Sequence, residues 1–273
     1  MITTRISRYG GRAFLFLALL LFVLPIVWIV ASAFKPPDQV ASNPPTYLFT
    51  PTLANFSDAF SQPGFYGAIV NSAIAVGIAV CFTLLVGTPA AYVLTRQRFR
   101  GRTNLLFWLL SLEMLPAIAI VVPLYETFLK LHLLGTFVPA IVTFTLFDIP
   151  FHVWMMRGFL NEVPRSIEDA ARVDGCGPLK TFLRITLPLS RVGVLTSVLF
   201  MVIFNWGSYL IPTVLSSGSQ QLLPAAVGSA VGAQTINWGQ LVSSAVVMTL
   251  PLLIIGFFVQ RYVVRGLTFG AVK

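Results

Sequence analysis

The chain has 273 residues, of which 56% are hydrophobic and only 10% charged, where a soluble domain carries roughly 25% charge. That balance excludes an ordinary water-soluble domain, and the bunching of the charges makes the net +9 a matter of membrane topology rather than nucleic-acid binding. The two cysteines, Cys81 in an apolar stretch and Cys176 in a polar loop, are set apart by bilayer depth, so neither a disulfide nor redox chemistry is indicated.

Six apolar stretches, near residues 13–34, 67–94, 105–126, 136–156, 189–212 and 239–260, each reach the roughly 20 residues that cross a hydrocarbon core as a helix. The first follows Arg5, Arg8 and Arg12 in the manner of a secretory signal. It exceeds a usual h-region and lacks a small-x-small cleavage site, so it is expected to span. All of the 18 Lys and Arg residues except Lys35 and Lys130 fall at the N-terminus, in 96–102, in 157–191 or in the tail 261–273. The positive-inside rule then puts both termini and both basic loops in the cytoplasm, as an even number of spans requires. The expected fold is an all-α integral membrane protein with six transmembrane helices forming one domain over 1–273. Of the outward segments, 35–66 is long and rich in Pro, 130–135 is short, and 213–238 carries no charge. The run Ser216, Ser217, Gly218, Ser219, Gln220, Gln221 predicts a solvated loop or a surface for a neutral polar partner, with a passive connector as the plain alternative.

Between the fourth and fifth stretches, residues 164–188 read as two short amphipathic helices with a stop between them. Ser166 is placed to cap the first, with Asp169 three positions on in a variant of the capping box, and Glu168 and Asp169 sit at the positive end of the helix dipole. Gly175 supplies the left-handed residue that ends it. Ile167, Ala170 and Ala171 share a predicted face, as do Leu179, Phe182 and Leu183, while Arg172, Lys180 and Arg184 point elsewhere. Helices of this kind ordinarily lie on lipid. The run from Gly175 to Thr181 lacks the Gly before Lys and the spacing of a phosphate loop, so it is no nucleotide site.

The order and spacing of this segment resemble the EAA loop of ABC importer permeases, whose pattern is Glu-Ala-Ala, three residues, Gly, nine residues, then Ile-x-Leu-Pro. Asp169-Ala170-Ala171, Gly175, Ile185, Leu187 and Pro188 fill those positions, with Asp174 before Gly175. Asp169 in place of Glu keeps the charge and shortens its reach by one methylene. Most of the chain is similar to the MalG-type branch of carbohydrate importers, through Pro51 to Phe56, Asn71-Ser72, Met114 to Pro116, Trp154 to Phe159 and the ending Gly266 to Lys273. The resemblance implies a MalG-like type I importer permease fold with coupling helices between spans four and five. It assigns docking on a separate ATPase to Glu168, Asp169, Ala170, Ala171, Arg172, Asp174, Gly175, Phe182, Ile185, Leu187 and Pro188. It makes the tail Phe269, Gly270, Ala271, Val272 and Lys273 a second ATPase contact. The implied partners are a MalF-like second permease, two copies of an ABC ATPase that hold ATP and Mg, a solute-binding protein touching 35–66 and 213–238 outside, and membrane lipid. This chain is expected to bind no cofactor and to catalyse no reaction.

Two acids lie near mid-membrane depth, Glu113 and Asp148, with no Lys or Arg in the spans to pair with them. A charge there costs at least roughly 2.5 kcal/mol, so each is expected to be protonated, hydrogen-bonded, or facing a wet cavity or a partner subunit. Sugars and polyols need hydrogen-bond acceptors and flat apolar faces, which makes Glu113, Asp148, Asn205, Trp206 and Tyr209 the expected lining of a solute path. For Trp206 and Tyr209, packing or an interfacial aromatic belt is the plainer reading. Where the family shows Trp-Asn followed by an acid, this chain has Trp206-Gly207-Ser208. A proton-coupled secondary transporter relaying through Glu113 and Asp148 is the alternative. A membrane enzyme finds no support, since His132 and His152 stand apart, without metal-ligand company.

Overall fold

The computed structural model describes residues 2–228, 230–231 and 236–269. The described residues are helical, with no β-strand beyond an isolated bridge between Val231 and Ile236. The principal helices are α1 (Ile2–Ala33), α2 (Ala54–Ser61), α3 (Phe65–Arg96), α4 (Arg102–Glu113), α5 (Ala117–Lys130), α6 (Val138–Glu162), α7 (Arg165–Val173), α8 (Pro178–Thr181), α9 (Leu187–Leu189), α10 (Arg191–Gly207), α11 (Leu210–Leu215), α12 (Leu223–Gly228) and α13 (Trp238–Phe269). Four of them, α1, α3, α6 and α13, are long and apolar enough to cross a membrane alone. Two bent pairs raise the number to six when each is counted as one span: α4 with α5, bent by 91°, and Pro178–Leu189 with α10, bent by 73°.

The third expected span is thus not one straight helix. Pro116 cannot donate a backbone N–H and disfavours helical geometry in Leu115, so α4 stops at Glu113 and α5 restarts after Pro116. The fifth is also shorter than 189–212: α10 ends at Gly207, and Ile211 and Pro212 belong to the separate α11. The fourth runs further than 136–156, to Glu162.

Two compact units divide the chain, Met1–Phe65 with Val227–Thr249, and Tyr66–Ala226 with Leu250–Lys273. In the first, α1 presents exposed apolar side chains along Phe14–Val30. Its C-terminal end is held by Asn55, whose amide donates to the carbonyl of Ala33, the last helical residue, at 3.0 Å and to that of Lys35 just beyond at 2.7 Å. Ser243 donates to the Asn55 carbonyl at 2.9 Å. A Cβ on Gly239 would collide with the Asn55 side chain. Lys35 is buried, with its ammonium 4.1 Å from the Trp28 ring centroid, within cation–π range.

In the second unit, α3, α4 and α6 enclose a core that includes Tyr92, Leu106, Leu109, Val153, Met156, Leu160 and Phe182. His152 on α6 is fully buried between Thr88 Oγ1 and Ser197 Oγ, each at 2.9 Å. It is therefore a packed polar residue joining α3, α6 and α10. Small residues allow close approach: a Cβ on Gly87 would meet His152 at 2.8 Å, and one on Gly193 would meet Phe159 at 2.6 Å.

The uncharged segment after α10 is largely folded rather than solvated. Asn71 donates to the carbonyls of Ser219 (2.9 Å) and Gln221 (3.0 Å), and Ser72 Oγ accepts from the Leu223 N–H at 2.8 Å. Ser216 is buried, donating to the Pro212 carbonyl and accepting from the Leu222 N–H. Only Ser217, Gly218 and Ser219 of the polar run are exposed, because the backbone of its remainder has found partners within the chain.

Candidate coupling segment and solute path

The candidate coupling segment begins at α7. Pro164, extended at ψ 133°, stands as its N-cap, and no side chain caps the helix. Ser166 therefore does not cap it as the sequence suggested. The Ile167 N–H is already taken by the Pro164 carbonyl at 3.2 Å, and Asp169 turns to Arg172 at 3.2 Å instead of reaching back. The C-terminal end follows expectation. Gly175 has φ +81°, its N–H bonds the Arg172 carbonyl at 3.0 Å, and the Cys176 N–H bonds the Ala171 carbonyl at 2.9 Å. That pair of bonds is a Schellman motif.

The buried face of α7 differs from the predicted one. Glu168 and Ala171 are buried, whereas Ile167 and Ala170 are exposed. The cause is a guanidinium in the interior: Arg96, at the end of α3, bonds Glu168 Oε1 through Nε at 2.7 Å and the Val163 carbonyl through Nη2 at 2.8 Å. Thr186 donates to Glu168 Oε1 at 3.0 Å and the Tyr92 hydroxyl to Oε2 at 3.3 Å. Both ion-pair side chains are almost fully buried, 6% and 3% exposed. A buried carboxylate is tolerated only when paired and hydrogen-bonded in this way. Glu168 thus ties α7 to α3 and to the second half of the loop.

Turning Glu168 inward leaves Ile167, Ala170 and Val173 as an outward stripe spaced by three, with Val173 88% exposed. Asp169, Arg172, Asp174 and Gly175 surround it, also exposed. In the second half, Leu179, Phe182 and Leu183 do not share a face. Phe182 is buried against Tyr92, ring centroids 4.7 Å apart, while Leu179 and Leu183 are exposed. A π-helical turn follows at Phe182–Thr186. Ile185 and Leu187 are half-buried and Pro188 is exposed. Val173 was missed in the sequence, although an apolar residue ending an otherwise charged cytoplasmic helix is a readable signal. Of the tail, Phe269 is the last helical residue, and Gly270, Ala271, Val272 and Lys273 lie outside the described residues.

Three of the five residues expected to line a solute path come together. Glu113, Asp148 and Asn205 line a cleft of about 230 Å³ with Ser208, Phe151 and Phe204. Asn205 donates to Asp148 Oδ2 at 2.7 Å, and Asp148 is 3% exposed. Neither acid is in an ion pair among the described residues. The rings of Phe151 and Phe204 meet edge to face at 5.3 Å. The cleft therefore offers carboxyl oxygens, an amide and a hydroxyl between flat apolar faces. Trp206 is buried outside this lining, and Tyr209 is 58% exposed at the start of α11. Ser208, at the place of the family's acid, does line it.

Residues 83–269 match the family of binding-protein-dependent transport system inner membrane components, and the chain belongs to it. It is a multi-pass membrane permease subunit of the ABC importer class. It is 35% identical to the probable ABC transporter permease protein y4oR of Sinorhizobium fredii, over 92% of this chain and 91% of that protein. It is 31% identical to the diacetylchitobiose uptake system permease protein DasC of Streptomyces coelicolor, over 92% of each. The fold is that of a solved bacterial ABC transporter involved in the import of alginate, with TM-score 0.76 and 20% identity, covering 95% of this chain and 97% of the other.

Proposed function

We propose that this chain is the transmembrane permease subunit of an importer in a bacterial inner membrane, moving a sugar or sugar-like solute by alternating access driven by a partner ATPase. The observation that carries the proposal is the two-sided build of α7: Glu168 locked inward on Arg96, and Val173 to Gly175 held outward. A push received at the outward face has a rigid route, through Glu168, into α3 and the segment leading to α10. ATP and Mg belong to the ATPase in this reading, and this chain contributes no chemistry of its own.

The sugar class draws support from relatives named for diacetylchitobiose, trehalose and sulfoquinovosyl glycerol transport, and from the cleft's mixture of acids, amide and phenyl faces. A MalF-like second permease, two ATPase copies and an external binding protein complete the proposed assembly. The binding protein would meet 35–66 and the exposed tip 217–219. Uptake of labelled sugar into vesicles holding the complete complex tests the reading. ATP-dependent, binding-protein-dependent uptake supports it, whereas uptake that follows a proton gradient without ATP would turn attention to a relay through Glu113 and Asp148.

A further inference from the structure

A second polar pocket plays no part in coupling or in the solute cleft. It has a volume of about 310 Å³ and lies where the first residues of α4 face the last turns of α6. Arg102, Thr103, Trp154 and Arg157 form its polar wall, and Phe107 and Leu110 continue it. Trp154 Nε1 and Arg157 Nε are both buried donors without a hydrogen-bond partner among the described residues. Leaving such donors unmet costs roughly 1–3 kcal/mol each, so a pair of them in one pocket points to a ligand that accepts from both. The Arg157 guanidinium stands 5.2 Å from the Trp154 ring centroid, which fixes its position. Arg102 donates through Nε to the Leu94 carbonyl at 2.6 Å, so its guanidinium plane is also set. Neither arginine is in an ion pair among the described residues. The ligand is therefore an anion.

We propose that this pocket binds the phosphate headgroup of an anionic phospholipid in the cytoplasmic leaflet. The leaflet assignment rests on the importer reading and its topology, in which the basic segments 96–102 and 157–191 face the cytoplasm. The apolar wall distinguishes a lipid from a free phosphate ion. Phe107 and Leu110 lie one and two turns beyond Arg102 on α4 and are 70% and 41% exposed. A free ion uses none of that surface, while a phospholipid sets its headgroup on the guanidinium groups and an acyl chain along the wall. An indole N–H at the interface and a basic pocket between spans are the groups that recognise such headgroups.

The test uses the complete complex and native mass spectrometry, comparing retention of phosphatidylglycerol with that of phosphatidylcholine. Trp154→Phe keeps the ring and removes the donor; Arg157→Gln removes the charge. Arg98→Gln removes an exposed charge outside the pocket. The wild type and Arg98→Gln are expected to prefer phosphatidylglycerol. The two pocket variants are expected to lose roughly ten-fold of that preference, the worth of one charge-assisted bond. Equal preference in all four proteins overturns the proposal, as does binding of inorganic phosphate by a wild type that retains no lipid, which would make the occupant a free ion. No preference in the wild type also overturns it and assigns the donors to a carboxylate of a partner subunit. Retention needs neither ATP nor solute, so these outcomes are separate from success or failure of the transport reading.

Discussion

Among the described residues, two places bury a carboxyl group, and they are built in opposite ways. Glu168 meets a guanidinium at 2.7 Å and two hydroxyl donors, so three of its roughly four acceptor sites are taken from inside the protein. Asp148 receives one amide and opens, with Glu113, onto a cleft. A buried acid held by a counter-charge and two hydroxyl donors, with 3% of its side chain exposed, acts as a fastening. An acid left with spare acceptor capacity beside a cavity is a surface for something that arrives. The first fits the mechanical part of an importer and the second fits its cargo path.

The contrast yields ordered predictions. Glu168→Gln leaves Arg96 buried without its counter-charge, and the complex is expected to lose about 3–5 kcal/mol of stability, read by thermal unfolding in detergent. Thr186→Val removes one hydroxyl donor while the ion pair stays, for an expected loss of about 1.5–3 kcal/mol. Tyr92→Phe deletes the longer 3.3 Å bond and should cost about 1 kcal/mol. Asp148→Asn is expected to change stability by less than about 1 kcal/mol, since no cation is orphaned. Its effect should appear instead in solute uptake, with KM raised roughly ten-fold by the loss of one charged acceptor. If Asp148→Asn destabilised the complex as much as Glu168→Gln, the two sites would not differ in kind.

The sequence made much of this readable, and the reasons for the misses are physical. Apolar length located the spans, and the Gly175 stop was legible because φ > 0 has a strong residue preference. The rotation of α7 was not legible. Hydrophobic periodicity grouped Ile167, Ala170 and Ala171 on one face, but the partner that decides which face turns inward, Arg96, lies 72 residues away. Phe182 likewise parts company with Leu179 and Leu183 because it packs on the Tyr92 ring, distant in sequence. Asn71 and Ser72, noticed only as a motif, gained their reason from carbonyl and amide groups some 150 residues on. At the cleft, residue chemistry pointed to Glu113, Asp148 and Asn205, whereas Trp206 and Tyr209, proposed for their flat rings, fall outside the lining: Trp206 is buried within α10 and Tyr209 lies beyond its end at Gly207.

The central claim is that the outward turn of α7 is where ATP hydrolysis is coupled to transport. A Cβ on Gly175 meets nothing within 4 Å, so Gly175→Asp adds a side chain and a charge without disturbing neighbours in this chain, at a backbone cost of roughly 1–2 kcal/mol. The deciding measurement is solute-stimulated ATP hydrolysis and uptake by the reconstituted complex carrying that variant. The account predicts that the subunits assemble and that stimulated hydrolysis and uptake are both lost. Normal stimulated hydrolysis and uptake in the assembled variant would contradict it.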